Sequence, residues 1–134
     1  MLKNIAQYVD NQLSYSLGVD LFHGWRPEGV ADDCITLLER TGRMDNFYIP
    51  GCSSVPVQII SRSVSYGDGL AGAWSVVNLF CGVDKAGITL PTLVSGEIYR
   101  VNAAEAISGP FWMGQDEKGR HEFSANILLH AQLN

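Results

Sequence analysis

Basic residues are scarce in this sequence. Nine Lys and Arg stand against 14 Asp and Glu, which leaves a formal net charge of −5. That balance argues against a protein that grips a nucleic-acid backbone, because such proteins carry a basic face. Cysteine is equally sparse: Cys34, Cys52 and Cys81 are odd in number and widely spaced. Neither a disulfide framework nor a CxxC metal knuckle is suggested, and three reduced thiols are expected. No apolar run approaches the roughly 18 residues of a membrane span, and MLKNIAQYVDNQ lacks the apolar centre of a signal peptide. The expectation is a cytosolic chain with no membrane contact. No serine lies in a G-x-S-x-G elbow, and no Cys–His pairing is legible. His23, His121 and His130 share no metal-ligand spacing and read as structural or surface residues. The expected catalytic, metal and cofactor sets are therefore empty, and the chain reads as a non-enzyme.

What is present fits one folded domain over residues 1–134, with 46% hydrophobic and only 17% charged residues. Leu2, Ile5, Val9, Leu13 and Leu17 recur at three- and four-residue steps and predict an amphipathic helix over about 2–17, with Gly18 as its C-cap. Short strands are predicted at 19–24 and 34–40, separated by the turn-rich WRPEGVADD and paired with one another. RTGRMDNFYIPGCSS reads as a loop or arm.

Residues 55–64 predict a strand with Val57, Ile59 and Ser61 on one face and Gln58, Ile60 and Arg62 on the other. A helix over about 66–81 follows. Leu70, Ala73, Trp74, Val77 and Phe80 form its expected core face, lying back across that strand. Pro91 makes 83–95 an edge or irregular strand. Two further strands are predicted at 97–107 and 121–133, joined by the long connection SGPFWMGQDEKGR. The sum is an α+β fold: a mainly antiparallel or mixed sheet of about five or six strands, with both helices packed on one face.

Gly67, Gly69 and Gly72 spell G-x-G-x-x-G at the strand-to-helix join, the spacing of a dinucleotide-binding turn. Two features oppose that meaning. Polar residues separate the apolar run from Gly67, and no strand ending in an acid follows the helix. Asp68 would also face the phosphates, at a cost on the order of 1 kcal/mol or more. The alternative is that Ser65 or Asp68 caps the helix and the small residues allow another backbone close approach, within the domain or from a neighbouring copy. Asp116 and Glu117 read as a charged turn neutralised by Lys118 and Arg120. Trp25, Phe47, Tyr48, Phe111 and Trp112 fall in predicted loops, where one small domain buries them with difficulty, so they point to a protein partner.

GPFWMGQDEKGRHEFSANILLHAQ resembles a passage of the tail terminator proteins of long-tailed bacteriophages, some of them labelled minor capsid proteins. The residues that carry the likeness are Pro110, Gly114, Asp116, Glu117, Gly119, Arg120, Ser124 and Asn126. PVQIISRSVSYGDGLAGAWSVVNLF is similar to that family's valine–glutamine strand and alanine-rich helix, through Arg62, Tyr66 and Ala71. The helix start, with Gly69 and Gly72, is richer in glycine than the family pattern. The resemblance implies a structural virion protein at the head-proximal end of the tail, assembled in the host cytoplasm. It implies a ring of the protein itself, usually six copies, which sits on the major tail tube protein, stops tube growth and faces the head–tail connector or stopper protein. DNA would meet it only in passage through the lumen. Another head–tail joining or tail-assembly protein of similar fold is the alternative.

Overall fold

A computed structural model describes residues 1–40, 44–45, 49–82, 85 and 87–133. The order is α1 (Leu2–Gln12), β1 (Leu21–His23), β2 (Cys34–Glu39), β3 (Met44–Asp45), β4 (Cys52–Ser63), α2 (Tyr66–Phe80), β5 (Ile88–Thr89), β6 (Tyr99–Gln115) and β7 (His121–Leu133). The strands form one mixed sheet in the order β1-β2-β4-β7-β6-β5, with β3 pairing β4 at one end. Among the described residues only β1–β2 is a parallel strand pair; the other pairs are antiparallel. The α+β class and the two helices agree with expectation.

Both helices pack on one face of the sheet. Alternation along β4 and β7 sends Val55, Val57 and Ile59, with Ala125, Ile127 and Leu129, to that face. There they join Ile5, Ala6 and Val9 of α1 and Val76, Val77 and Phe80 of α2 in one continuous core. The ring of Phe80 lies 5.5 Å from that of Tyr8, tying the last turn of α2 to α1.

The first helix ends five residues earlier than its apolar spacing predicts. Leu13 is already extended (φ −116°, ψ 175°), and polar side chains then take over the backbone donors. Asp10 accepts from Leu17 N at 2.9 Å and Asp20 accepts from Ser16 N at 2.6 Å. Gly18, at φ +82°, belongs to the turn into β1 and is not a helix cap. Leu13 and Leu17 still pack against the core from this non-helical stretch, so the apolar period is satisfied without a helix.

The connection expected at 108–120 is mostly strand. β6 runs unbroken from Tyr99 to Gln115, and only residues 116–120 turn. Gly109, Pro110 and Gly114 sit at or beside register shifts against β7, between Ser108 and Phe111 and between Trp112 and Gly114. Bulges on an outer strand accommodate glycine and proline without ending the ladder, which is why turn-forming residues misdirect the reading here.

The expected core face of α2 is rotated. Gly69, Gly72, Ala73, Val76, Val77 and Phe80 are the buried stripe, while Trp74 is 43% exposed. Tyr66, Leu70 and Trp74 recur at four-residue steps on the flank facing β6, where a Cβ at Gly109 would stand 3.6 Å from the Trp74 ring. Phe47 and Tyr48 lie outside the described residues, as does part of the 83–95 stretch. No described helix is long and apolar enough to cross a membrane.

Candidate functional site at the hairpin end of the sheet

The parallel β1–β2 pair sets up the site. Parallel neighbours cannot be joined by a tight turn, so residues 24–33 run back past the end of the sheet before β2 begins. This crossover passes over the face opposite the helices. Ser61 points to the helix face, so its neighbour Arg62 points to the other, where it pairs across the ladder with Cys34 and Glu122. Arg62 is only 5% exposed. It holds the crossover by donating from Nε to Asp32 O (3.1 Å) and from its terminal nitrogen to Ala31 O (2.7 Å).

The β6–β7 turn closes the other side. Asp116 Oδ1 accepts from the backbone N of Lys118 and of Arg120, both at 3.0 Å, and its Oδ2 accepts from Arg120 Nε at 2.7 Å. Gly119, at φ +75°, supplies the left-handed residue that the turn needs. Arg120 then reaches across to Asp32 Oδ1 at 3.0 Å and so ties the turn to the crossover. Arg26 of the crossover pairs with Glu122 at 3.2 Å. Between these walls lies a cleft of about 510 Å³ lined by Arg26, Glu28, Asp32, Arg62, Lys118 and Arg120, among others.

Desolvation works against ionisation of Asp116, but the N–H groups of Arg120, its guanidinium and Lys118 N outweigh it and hold the carboxyl below the usual aspartate range. The sign is that of a lowered carboxylate. The turn is supported above the ordinary Asp value near 4 and loosens as pH falls through the lower folded value. The protection factors of the Lys118 and Arg120 amides, that is their exchange relative to the unstructured rate at each pH, are therefore expected to fall only well into acid. The same measurement on Asp116→Asn should show low protection at neutral pH and little further loss of protection on acidification. The Arg120 guanidinium, hydrogen-bonded first of all to Asp116, is correspondingly raised and stays charged.

On the helix face of the same end, Tyr66 makes an aromatic cluster. Its ring stands edge-on to Phe123 at 4.9 Å and to His121 at 5.6 Å, with Trp112 at 6.5 Å. Trp112 Nε1 donates to His121 Nδ1 at 3.2 Å. Tyr66 and Trp112 remain about half exposed, as do Phe111 and Met113 on the same strand.

The motif residues thus fall into separate places. Arg62 and Arg120 line the cleft, with Asp116 and Gly119 supporting Arg120, while Glu117 is exposed on the turn and takes no part. Tyr66 and Gly69 meet β7 on the opposite face, the latter through Phe123. Gly72 packs against Ser61 and Tyr15 farther along α2. Pro110 and Gly114 shape bulges in β6. Asn126 sits farther up β7, donating to Ser108 Oγ at 3.0 Å, and does not reach the cleft.

Sequence reasoning does not find Asp32 as the partner of Arg62 and Arg120, nor Arg26 and Glu28 as lining of the same cleft. WRPEGVADD signals its charges but not where they land. Trp25 remains 70% exposed on this crossover.

The glycine triplet resolves into close packing within the subunit. A Cβ at Gly69 would come 3.0 Å from the Phe123 ring, and one at Gly72 would come 2.9 Å from both Ser61 Oγ and Tyr15 OH. Gly67 meets nothing within 4 Å. All three lie inside α2, which Ser65 caps by accepting from Asp68 N, and β4 before it pairs antiparallel with both neighbours. The parallel β-α-β continuation of a dinucleotide fold is not built here. Cys34, Cys52 and Cys81 are free thiols, and burial raises the pKa of Cys34. Among the described residues no group of three or more His, Cys, Asp or Glu side chains is placed to hold a metal.

An α+β domain with a fixed ion-pair cleft on one face and half-exposed aromatics on the other presents surfaces of the kind that contact other macromolecules. A family model described as bacteriophage tail terminator protein matches residues 8–133, nearly the whole chain. The chain belongs to this family of phage structural proteins. No curated protein matched it.

Proposed function

We propose that the protein forms a ring, most simply of six copies, that caps the phage tail tube, ends its polymerisation and presents the interface to the head-side connector or stopper protein. The match over residues 8–133 carries this reading. The exposed surface agrees with it. Beyond Val101 no described residue pairs with the outer edge of β6, and this stretch displays Ile107, Phe111, Trp112 and Met113. A long apolar edge is an aggregation hazard unless something covers it, and a ring neighbour or the tube would do so. The contacts of such a ring are head-to-tail, one patch against a different patch on the next copy. Gly69 and Gly72 are consumed inside the subunit and leave the ring contacts to exposed side chains. The net charge of −5 suits a lumen through which DNA passes without being held.

Mixing the protein with its cognate tail tube protein and imaging the products tests this. Tubes of bounded length bearing a ring at one end are expected, and Ile107→Ser, at an exposed position of that edge, should restore long tubes while leaving the melting temperature nearly unchanged. Unbounded tubes with the unaltered protein would count against the proposal.

A further inference from the structure

We infer that the two ends of the sheet are halves of one contact between copies of this chain: a groove beside β1 of one subunit receives the exposed residues of β6, around Ile107 and Phe111, from the next. This contact presupposes the ring proposed above and names the surfaces that close it. The groove, about 360 Å³, lies between the start of α1, the turn at Leu17 and the crossover, with Phe22, Trp25 and Pro27 in its lining. Its one formally charged lining residue is Lys3, which makes no ion pair among the described residues. On β6, residues 101–115 carry a single formal charge, Glu105, whose side chain is 61% exposed. Ile107, Phe111 and Met113 are exposed on the same stretch.

Shape and charge therefore match across the two ends. One is concave and largely apolar with a single cation; the other is a projecting apolar strand with a single carboxylate. Ile107 lies two residues from Glu105, about 7 Å along a strand, so an Ile107 seated in the groove brings Glu105 within reach of the long Lys3 side chain. A copy cannot fill its own groove, because β1 and β6 stand four strand steps apart in the sheet, about 19 Å. Two copies cannot satisfy both ends at once either, because the ends face opposite ways. Each copy must use one end on each of two neighbours, and contacts of that kind propagate head-to-tail until a ring closes. Side chains make this contact, not a continued ladder: β1 has three residues, Leu17 already bridges Leu21 on its outer side, and register shifts interrupt β6.

The test counts rings by electron microscopy, both on the ends of cognate tail tubes and in concentrated solutions of the full chain, after a melt confirms that each variant folds. Trp25→Ser, at an exposed position, should lower the ring yield tenfold or more. Lys3→Glu and Glu105→Lys should each lower it severalfold, with the larger effect at low salt. The chain carrying both reversals should recover most of the yield, since every interface again pairs opposite charges. An equal mixture of the two single variants should recover it too, by alternating around a ring of even number.

Rings from the unaltered protein that form equally well with Trp25→Ser and with both charge reversals would overturn the edge-to-edge contact and leave the ring standing. So would a double reversal no better than either single one. Loss of rings with Ile107→Ser but not with Trp25→Ser would mean that β6 meets the tube instead of a neighbouring copy. No ring from the unaltered protein in either setting would sink the ring itself, and this contact with it.

Discussion

Gly72→Leu is expected to destabilise the protein by about 3 kcal/mol or more, at the upper end of what overpacking a core costs. The position lies where α2 crosses β4, and even a single added Cβ would stand 2.9 Å from Ser61 Oγ and from Tyr15 OH. The hydroxyl oxygen of Tyr15 lies on its ring axis and moves only if the whole ring shifts. Ser61 can rotate its hydroxyl, but its Cβ is fixed on a central strand, so a side chain as large as Leu must push the helix off the sheet. The control is Gly67→Ala in the same helix, where nothing lies within 4 Å. Removing glycine's backbone freedom there should stabilise by roughly 0.5–1 kcal/mol. Opposite signs in chemical denaturation would establish that the helix glycines differ in role. Equal effects would mean that close packing is not why Gly72 is there.

Phe80→Ala should cost a comparable or larger amount, about 3–5 kcal/mol for a fully buried aromatic whose site cannot collapse. Phe80 is 1% exposed, and its ring contacts Tyr8 across the helix pair. Against a total stability of roughly 5–15 kcal/mol for such a domain, that loss is a large fraction. For a chain of this size it corresponds to a fall in melting temperature on the order of 10–15 °C. A fall of only a few degrees would mean that α1 and α2 are held to the sheet independently of this contact.

Most elements were legible because their signals are local. The strand at Val55 to Ser63 shows its two faces by alternation, and α2 shows its start in Ser65 and its extent in apolar spacing. Errors arose where local signals compete. Leu13 and Leu17 continue the helical period of α1, but Asp10 and Asp20 capture backbone donors and turn the chain. Gly109, Pro110 and Gly114 spell a loop, yet β7 supplies a ladder long enough to absorb them as bulges. In α2, Trp74 fits the apolar spacing as well as Val76 does. The glycines decide between them, since the helix approaches the sheet most closely where Gly69 and Gly72 remove side-chain bulk.

The site was legible only in pieces. Arg62, Asp116 and Arg120 stand out within their own segments. The third wall, Arg26 to Asp32, is about 30 residues from Arg62 and almost 90 from Arg120 in the chain, as the bonds Arg62–Asp32 and Arg120–Asp32 show. No periodicity links positions so far apart.

The sequence by itself determined the α+β class, the strand–helix unit of 55–80, the acidic balance and the family likeness. These follow from backbone periods, from composition and from residue order, all of which can be read along the chain. The tertiary structure alone decided that Gly69 and Gly72 close the helix onto the sheet while Gly67 stays open. It alone placed Arg62, buried and bonded to the carbonyls of Ala31 and Asp32, behind that cleft. Both facts depend on strand register and on the path of a parallel crossover, which are set when the sheet assembles.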